Sequence, residues 1–354
     1  MEQEYIQRIK RIESELEYWL PQMPDSVWAE KVFGEIGKKI GIENFKALIA
    51  PLRELIFRGG KRWRPVLMTL VCEALGGGDS AFSLAPIVEF SHNASLIHDD
   101  IEDESDLRRG KPSVHKLFGV DSAINAGSFF YFLSSACIET FVQNAHEEKN
   151  QVSKALIYKL WMECMRRLHL GQSMDINWHR DISHIPSIDD YYLMCAMKTG
   201  SLARLSTELG AHAAGAPPEV VQLFGNAADT MGIGFQIFDD IKNLTTGVDG
   251  KKRGDDVVEG KKSLPVLLYL NKYPEKRERI FYFFYVAKTD GFGAPEVEEL
   301  IETLAASGVF EEAKEIGRSY LKEAKEILGS HEFAEFPISD KGHAMLDNFI
   351  ELIS

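Results

Sequence analysis

Residues 81–103 read AFSLAPIVEFSHNASLIHDDIED, an apolar run that ends in acid. Ile87, Val88, Phe90, Leu96, Ile97 and Ile101 recur at the spacing of a helix, and the segment is apolar enough for that helix to be central. On such a helix Asp99 and Asp103 stand at i and i+4 and share a face, with Asp100 three residues before Asp103. Three like charges in one turn repel, which is a poor arrangement for stability alone. A bridging Mg2+ removes the conflict, because carboxylate oxygens are its preferred protein ligands. Taken alone, a solvated acidic helix end reads the same way.

The same period runs outward through the chain. Tyr5, Ile6, Ile9, Ile12, Leu16 and Leu20 mark an amphipathic helix over residues 2–20. Further helices are predicted near 43–57, 63–75, 81–104, 120–146, 151–178, 187–214, 218–244, 263–272, 275–287, 295–305, 308–328 and 340–353. Short breakers split them: Gly59-Gly60, Gly76-Gly77-Gly78, Pro186-Ser187, Pro217-Pro218 and Gly247. Alternating strand patterns are nearly absent, and no long Gly/Ser/Pro linker divides the chain. The expectation is a single all-α domain over 1–354, a bundle of long helices around a shared core.

A second acidic pair follows a second apolar run in Gly232-Ile-Gly-Phe-Gln-Ile-Phe-Asp-Asp-Ile-Lys-Asn243. Asp239 lies 140 residues after Asp99. One such pair is a weak signal; two, each ending a buried-looking helix, suit a diphosphate bridged by several Mg2+ ions. Cations flank both pairs. Gly59-Gly-Lys-Arg-Trp-Arg-Pro65 leads into a helix, and its Lys61 and Arg64 can clamp phosphate oxygens. Arg108 and Arg109 follow the first pair. Lys198, and Lys251, Lys252 and Lys261 in the stretch after the second pair, add further positive charge.

The 354 residues are 45% hydrophobic, enough for a large core, and carry a formal net charge of -14. That balance argues against nucleic-acid binding, which asks for a basic face. Cys72, Cys137, Cys164 and Cys195 form no CxxC pair and read as reduced, buried residues of a cytosolic protein. The N-terminus is acidic and lacks the apolar core of a signal peptide. No apolar stretch reaches the roughly 18–20 residues needed to span a bilayer.

Together these motifs resemble the trans-isoprenyl diphosphate synthases of the polyprenyl synthetase family. The resemblance is carried by GGKRWRP (59–65), SHNASLIHDDIEDESDLRRGKPSVH (91–115), GQSMDINW (171–178), KTGSL (198–202), GIGFQIFDD (232–240) and GKKRGDDVVEGKKSLP (250–265), over about 200 residues in the family's order. It implies the isoprenoid synthase type of all-α bundle, built around a central cavity, and a Mg2+-dependent head-to-tail prenyl transfer. Three Mg2+ ions per site are implied, with Mn2+ as an alternative. The substrates would be an allylic diphosphate (dimethylallyl, geranyl or farnesyl) and isopentenyl diphosphate. A cytoplasmic homodimer is also implied. By position, Asp99, Asp103 and Asp239 resemble the metal ligands, and Asp100 and Asp240 support them. Arg108, Lys198, Gln236, Lys251 or Lys252, and Lys261 resemble contacts to the allylic diphosphate. Lys61, Arg64, His92 and Arg109 resemble the isopentenyl diphosphate site, and the resemblance implies that Thr199 and Phe235 line the reacting carbons.

The family's second motif usually ends in a third acid, and here Asn243 stands in its place. Motifs of this form are familiar from the geranylgeranyl-forming branch. Product length follows from the residues before Asp99. Short-chain synthases place an aromatic four or five residues earlier, where this chain has the small Ser95 and Ala94. The expectation is a product longer than C15, with C20 favoured over longer polyprenyl chains. Phe90, Phe129, Phe130, Phe132 and His169 are the alternatives for the floor. A class I terpene cyclase is disfavoured because no cyclase-type Asn/Ser/Glu metal motif follows Asp240 and because GGKRWR supplies a second diphosphate site. A head-to-head synthase is disfavoured on the latter ground, and a non-catalytic subunit because the aspartates are kept.

Overall fold

The computed structural model describes residues 2–36, 40–145, 154–247, 252–329 and 337–353. The ends of two expected helices at 146 and 151–153, and Lys251, lie outside the described residues. Contacts divide the chain into two compact units, each discontinuous in sequence. One comprises Met1–Glu163, Leu205–Gly225 and His331–Asp347; the other comprises Cys164–Arg204, Asn226–Ser330 and Asn348–Ser354.

The first unit contains α1 (Glu2–Trp19), α2 (Ser26–Phe33), α3 (Ile42–Ile56), α4 (Trp63–Ala74), α5 (Ala85–Glu102), α6 (Val114–Phe118) and α7 (Val120–Ala145). Helix α5 is its centre, in contact with α1, α3, α4, α6 and α7. Nearly every residue from Ala85 to Ala94 is buried. Such a helix buries a charge only if it is paired. Glu89 accepts from Arg62 at 3.0 Å, and Arg62 also reaches Glu13 at 2.6 Å. A two-stranded antiparallel hairpin, β1 (Leu107–Arg108) and β2 (Lys111–Pro112), follows α5. Its two-residue turn puts Arg109 at φ 53 and Gly110 at φ 71. Positive φ at both central positions matches the right-handed twist of a short hairpin.

The helix α8 (Lys154–Arg180) enters the second unit at Cys164. That unit adds α9 (Ile188–Cys195), the first turn of α10 (Ser201–Ala213), most of α11 (Pro218–Thr245), α12 (Asp255–Glu259), α13 (Leu264–Lys272), α14 (Arg277–Asp290), α15 (Pro295–Ala306) and α16 (Val309–Gly329). Tyr191, Ile237, Leu264, Leu267, Phe283, Phe284 and Leu300 are among its core residues. The chain closes with α17 (Asp340–Ile353).

The all-α expectation holds, and the predicted helices match the observed ones to within a few residues at most ends. Helices α2, α6 and α12 and the hairpin are additions. At 8, 5 and 5 residues these helices are too short for a hydrophobic period to register. The four cysteines are free and buried. Among the described residues no helix is long and apolar enough to cross a membrane.

Candidate active site

In the first unit the chemistry gathers at the C-terminal end of α5. Its last turn carries Asp99, Asp100 and Glu102, with Asp103 as the cap residue and no basic residue in the turn. The helix stops in a left-handed residue, Glu104 at φ 54. Ser105 N–H donates to the Asp100 carbonyl at 2.9 Å and closes the end. A helix C-terminus already carries partial negative charge. The acids here therefore oppose the helix dipole as well as one another. Arg108 answers part of that charge: its Nε lies 2.7 Å from Asp100 Oδ1, and its terminal nitrogen lies 3.0 Å from Asp99 Oδ2. Burial works against its charge, but Asp100 and then Asp99 outweigh burial and raise its pKa. Arg58 holds the hairpin that presents Arg108, donating to the Arg108 carbonyl at 2.9 Å and the Pro112 carbonyl at 2.8 Å.

Next to this acidic end stands a group of cations. Arg64 approaches His92 Nε2 at 3.3 Å. Burial, and then the charges of Arg64, Arg109 and Arg108, push the His92 pKa well down, so the imidazole is neutral at pH 7. Arg109 donates to the Leu55 carbonyl at 3.1 Å, and its guanidinium lies where a Cβ on Gly60 would come within 3.4 Å. Burial lowers its pKa to about 10. Gly59 and Gly60 take φ 90 and 144, which bulkier residues rarely adopt. Lys61 is exposed, and its carbonyl accepts from Tyr5 at 2.8 Å. Arg62, between Lys61 and Arg64, turns the other way into the core.

The second unit builds its chemistry on close helix contacts. A Cβ on Gly171 would meet Lys198 N at 2.3 Å, and one on Gly232 would meet Gly200 Cα at 2.4 Å. Three glycines thus let α8, the π-helical turn Ala196–Gly200 and α11 approach backbone to backbone. That turn sits inside the expected helix 187–214, and such turns recur at functional sites. It places Lys198 Nζ 2.6 Å from Asp175 and Thr199 Oγ1 2.6 Å from Gln236. Gln236 passes the chain on, donating to Asp240 at 2.8 Å, while Tyr191 donates to the other carboxylate oxygen at 2.7 Å. Burial raises the Asp240 pKa to about 6, opposed by these donors. Burial also disfavours ionised Asp175, but Lys198 and then Lys261 outweigh it and its pKa falls. Lys261 pairs with Glu259 and lies 3.7 Å from Asp256. Lys252 is exposed.

Asn243 has a structural task. It is buried, and its Oδ1 accepts from the Asp256 N–H at 3.2 Å, in the first turn of α12. Among the described residues no three acidic, His or Cys side chains converge as a ready metal cage. The donor set still suits a hard divalent cation: carboxylate oxygens at a helix end with no compensating base in that turn.

The polyprenyl synthetase model matches residues 45–292. The chain belongs to the polyprenyl synthetase family. It is a trans-prenyltransferase. It is 31% identical over 311 residues to the short chain isoprenyl diphosphate synthase of Methanothermobacter thermautotrophicus, covering 86% of this chain and 90% of that protein. It is 30% identical over 308 residues to the geranylfarnesyl diphosphate synthase of Aeropyrum pernix, covering 84% and 92%. The geranylgeranyl pyrophosphate synthetase structure from Pyrococcus horikoshii superposes with a TM-score of 0.80 at 26% identity, covering 99% of this chain and 96% of that one. The all-α architecture of the synthase is thus the isoprenoid synthase fold.

Along α5 of the synthase, Ala94 is buried and Ser95 half-buried. One turn further, Trp161 Nε1 donates to Ser91 Oγ at 3.1 Å, and Phe90 packs on Phe130 with centroids 4.8 Å apart. Phe129 stacks instead on Phe33, Phe132 is 69% exposed, and His169 Nδ1 lies 2.8 Å from the Met165 carbonyl. Phe235 is half-buried. Three contributors were not legible as such. Asp175 lay within GQSMDINW, and its four-residue offset from Gly171 was the available signal. Arg58 and Tyr191 carried no motif.

Proposed function

We propose that the synthase condenses an allylic diphosphate with isopentenyl diphosphate, head to tail, to release geranylgeranyl diphosphate (C20) and pyrophosphate. Asp99, Asp103 and Asp239 hold Mg2+, three ions per site, with Mn2+ as a substitute. Asp100 and Asp240 support these ligands. When bound, the metal supplies the positive charge that stabilises the departing diphosphate. Arg108, Lys198, Gln236, Lys252 and Lys261 grip the same diphosphate, with Lys251 assigned on resemblance alone. Lys61, Arg64, Arg109 and His92 bind the second substrate without metal. A neutral His92 among arginines fits that task, since it can accept from a guanidinium or donate to a phosphate oxygen.

Thr199 and Phe235 line the reacting carbons. The Thr199–Gln236–Asp240 hydrogen-bond chain fixes the first of them. The proton lost in the last step goes to the departed pyrophosphate. Water must be kept from the allylic cation throughout. The observation that carries the reading is the acidic end of α5 with Arg108 bound to it and small residues behind it. Ala94 and Ser95 support a product beyond C15, and the Phe90–Phe130 pair and Trp161 support an end near C20. We further propose a cytoplasmic homodimer that works without nucleic acid.

Purified protein given Mg2+, isopentenyl diphosphate and each of the dimethylallyl, geranyl and farnesyl primers should accumulate C20, read by chromatography of the dephosphorylated products. Accumulation of C25 or longer would favour a longer-chain synthase. No elongation from any primer would sink the proposal.

A further inference from the structure

Lys262 is buried, yet the proposed function gives it no task. Its residue is only 4% exposed, and lysines are almost never buried so fully unless paired. Its Nζ donates to the Trp178 carbonyl at 3.0 Å and the Gly260 carbonyl at 2.7 Å, and stands 4.8 Å from the ring centroid of Phe284. Trp178 lies in the last turn of α8, where carbonyls lack helical partners and the dipole favours a cation. Gly260, at φ 81, ends α12. One ammonium therefore ties the end of α8 to the start of the loop before α13.

Both tied segments carry groups of the site. Asp175, three residues before Trp178 on α8, holds Lys198 at 2.6 Å. Lys261 precedes Lys262 in the loop. Leu264, two residues later, offers its N–H to Asp240 at 3.4 Å. We propose that Lys262 is a positioning residue: its ammonium sets the loop of residues 260–264 against α8 and so fixes where Lys261 stands relative to Lys198 and Asp240. This rests on the diphosphate-binding roles given above to Lys198 and Lys261.

The charges acting on Lys262 come from each packed element. Asp175 on α8 and Asp181 just past it favour the ammonium, and Lys288 on α14 opposes it. Lys261 and Glu259 flank it in its own segment. His179, beside Trp178, is pushed below its usual range by burial and adds no charge at neutral pH. Burial is the largest influence and lowers the Lys262 pKa to about 8. Its charge-assisted bonds should fade as the pH rises through that value.

Steady-state kinetics on the full chain tests this, with Lys262→Met, Lys262→Arg and Lys261→Ala compared between pH 7 and pH 9.5 and thermal melts run beside them. At pH 7 Lys262→Met should raise KM for the allylic diphosphate about tenfold, the low end for loss of a hydrogen bond made by a charged group. The KM for isopentenyl diphosphate should hold. In the wild type the allylic KM should climb above about pH 8. In Lys262→Arg, which stays charged, that climb should be absent. An unchanged allylic KM in Lys262→Met, beside a raised one in Lys261→Ala, overturns the inference alone. A KM rise shared equally by both substrates, tracking a lowered melting temperature, also overturns it in favour of a purely structural role. An unchanged KM in Lys261→Ala overturns the diphosphate role of Lys261 and the inference with it.

Discussion

Asp100 and Asp240 are the second acids of their pairs, and each is buried against protein donors. Arg108 holds the first, and Tyr191 and Gln236 hold the second. Their partners Asp99 and Asp239 are only half-buried. This asymmetry supports the division into metal ligand and supporting acid. Asp99→Asn or Asp239→Asn should cut kcat by about 10²–10³-fold, the cost of losing one electrostatic stabiliser, with the melting temperature unchanged. Asp240→Asn should differ. Its amide would set an NH2 against the Tyr191 hydroxyl or the Gln236 amide, leaving a buried donor unmet at about 1–3 kcal/mol. A clear drop in melting temperature by calorimetry is the expected reading; an unaltered melt would show that Asp240 is not structurally committed. The motif GGKRWR shows where sequence stops at this scale. It supplies three cations in a row of six, and nothing local says that Arg62 serves Glu89 and Glu13 while Arg64 faces His92.

On the proposed reading helix α5 would act as a ruler, because a helix advances about 1.5 Å per residue. From Asp99 to Ala94 is five residues, or about 7.5 Å, and the small side chains there would leave room behind the proposed metal ligands. Ser95→Phe should return a bulky wall to the half-buried face and shorten the main product to C15. Ala94→Phe should do the same at greater cost to stability, because Ala94 is already fully packed. Trp161→Ala should lengthen the product. Unchanged chain length in all three, by the chromatographic assay above, would mean that the chain does not run along α5. Elements with a long hydrophobic period, such as α5, α7 and α11, were legible in advance. Helices α2, α6 and α12 were not, because one or two turns present too few residues to repeat a pattern. The π-helical turn at 196–200 was also hidden: it leaves the side-chain pattern of 187–214 helical while shifting its register.

At the scale of the whole molecule the proposed homodimer needs a face. Val120, Ile124 and Phe132 lie at multiples of four along α7 and are exposed, with Leu117 and Phe118 just before them. Exposed apolar groups gathered on one helix mark interaction surfaces more often than scattered ones do. The double variant Ile124→Asp with Phe132→Asp should sediment as a monomer where the wild type sediments as a dimer. A variant that stays dimeric would place the interface elsewhere.

The sequence alone determined the all-α class, nearly all the long helices and their breaks, and the order of acidic and basic motifs that marks the family. These are local properties: hydrophobic period, glycine and proline breaks, and like charges crowded on one turn. Only the tertiary structure decided the partners. It matched Lys198 with Asp175, Asn243 with the first turn of α12, and Lys262 with the end of α8. Those pairs are 23, 13 and 84 residues apart. Which groups meet over such distances depends on the path of the chain and on which buried polar atoms would otherwise lack a partner, and neither is written in any short stretch of residues.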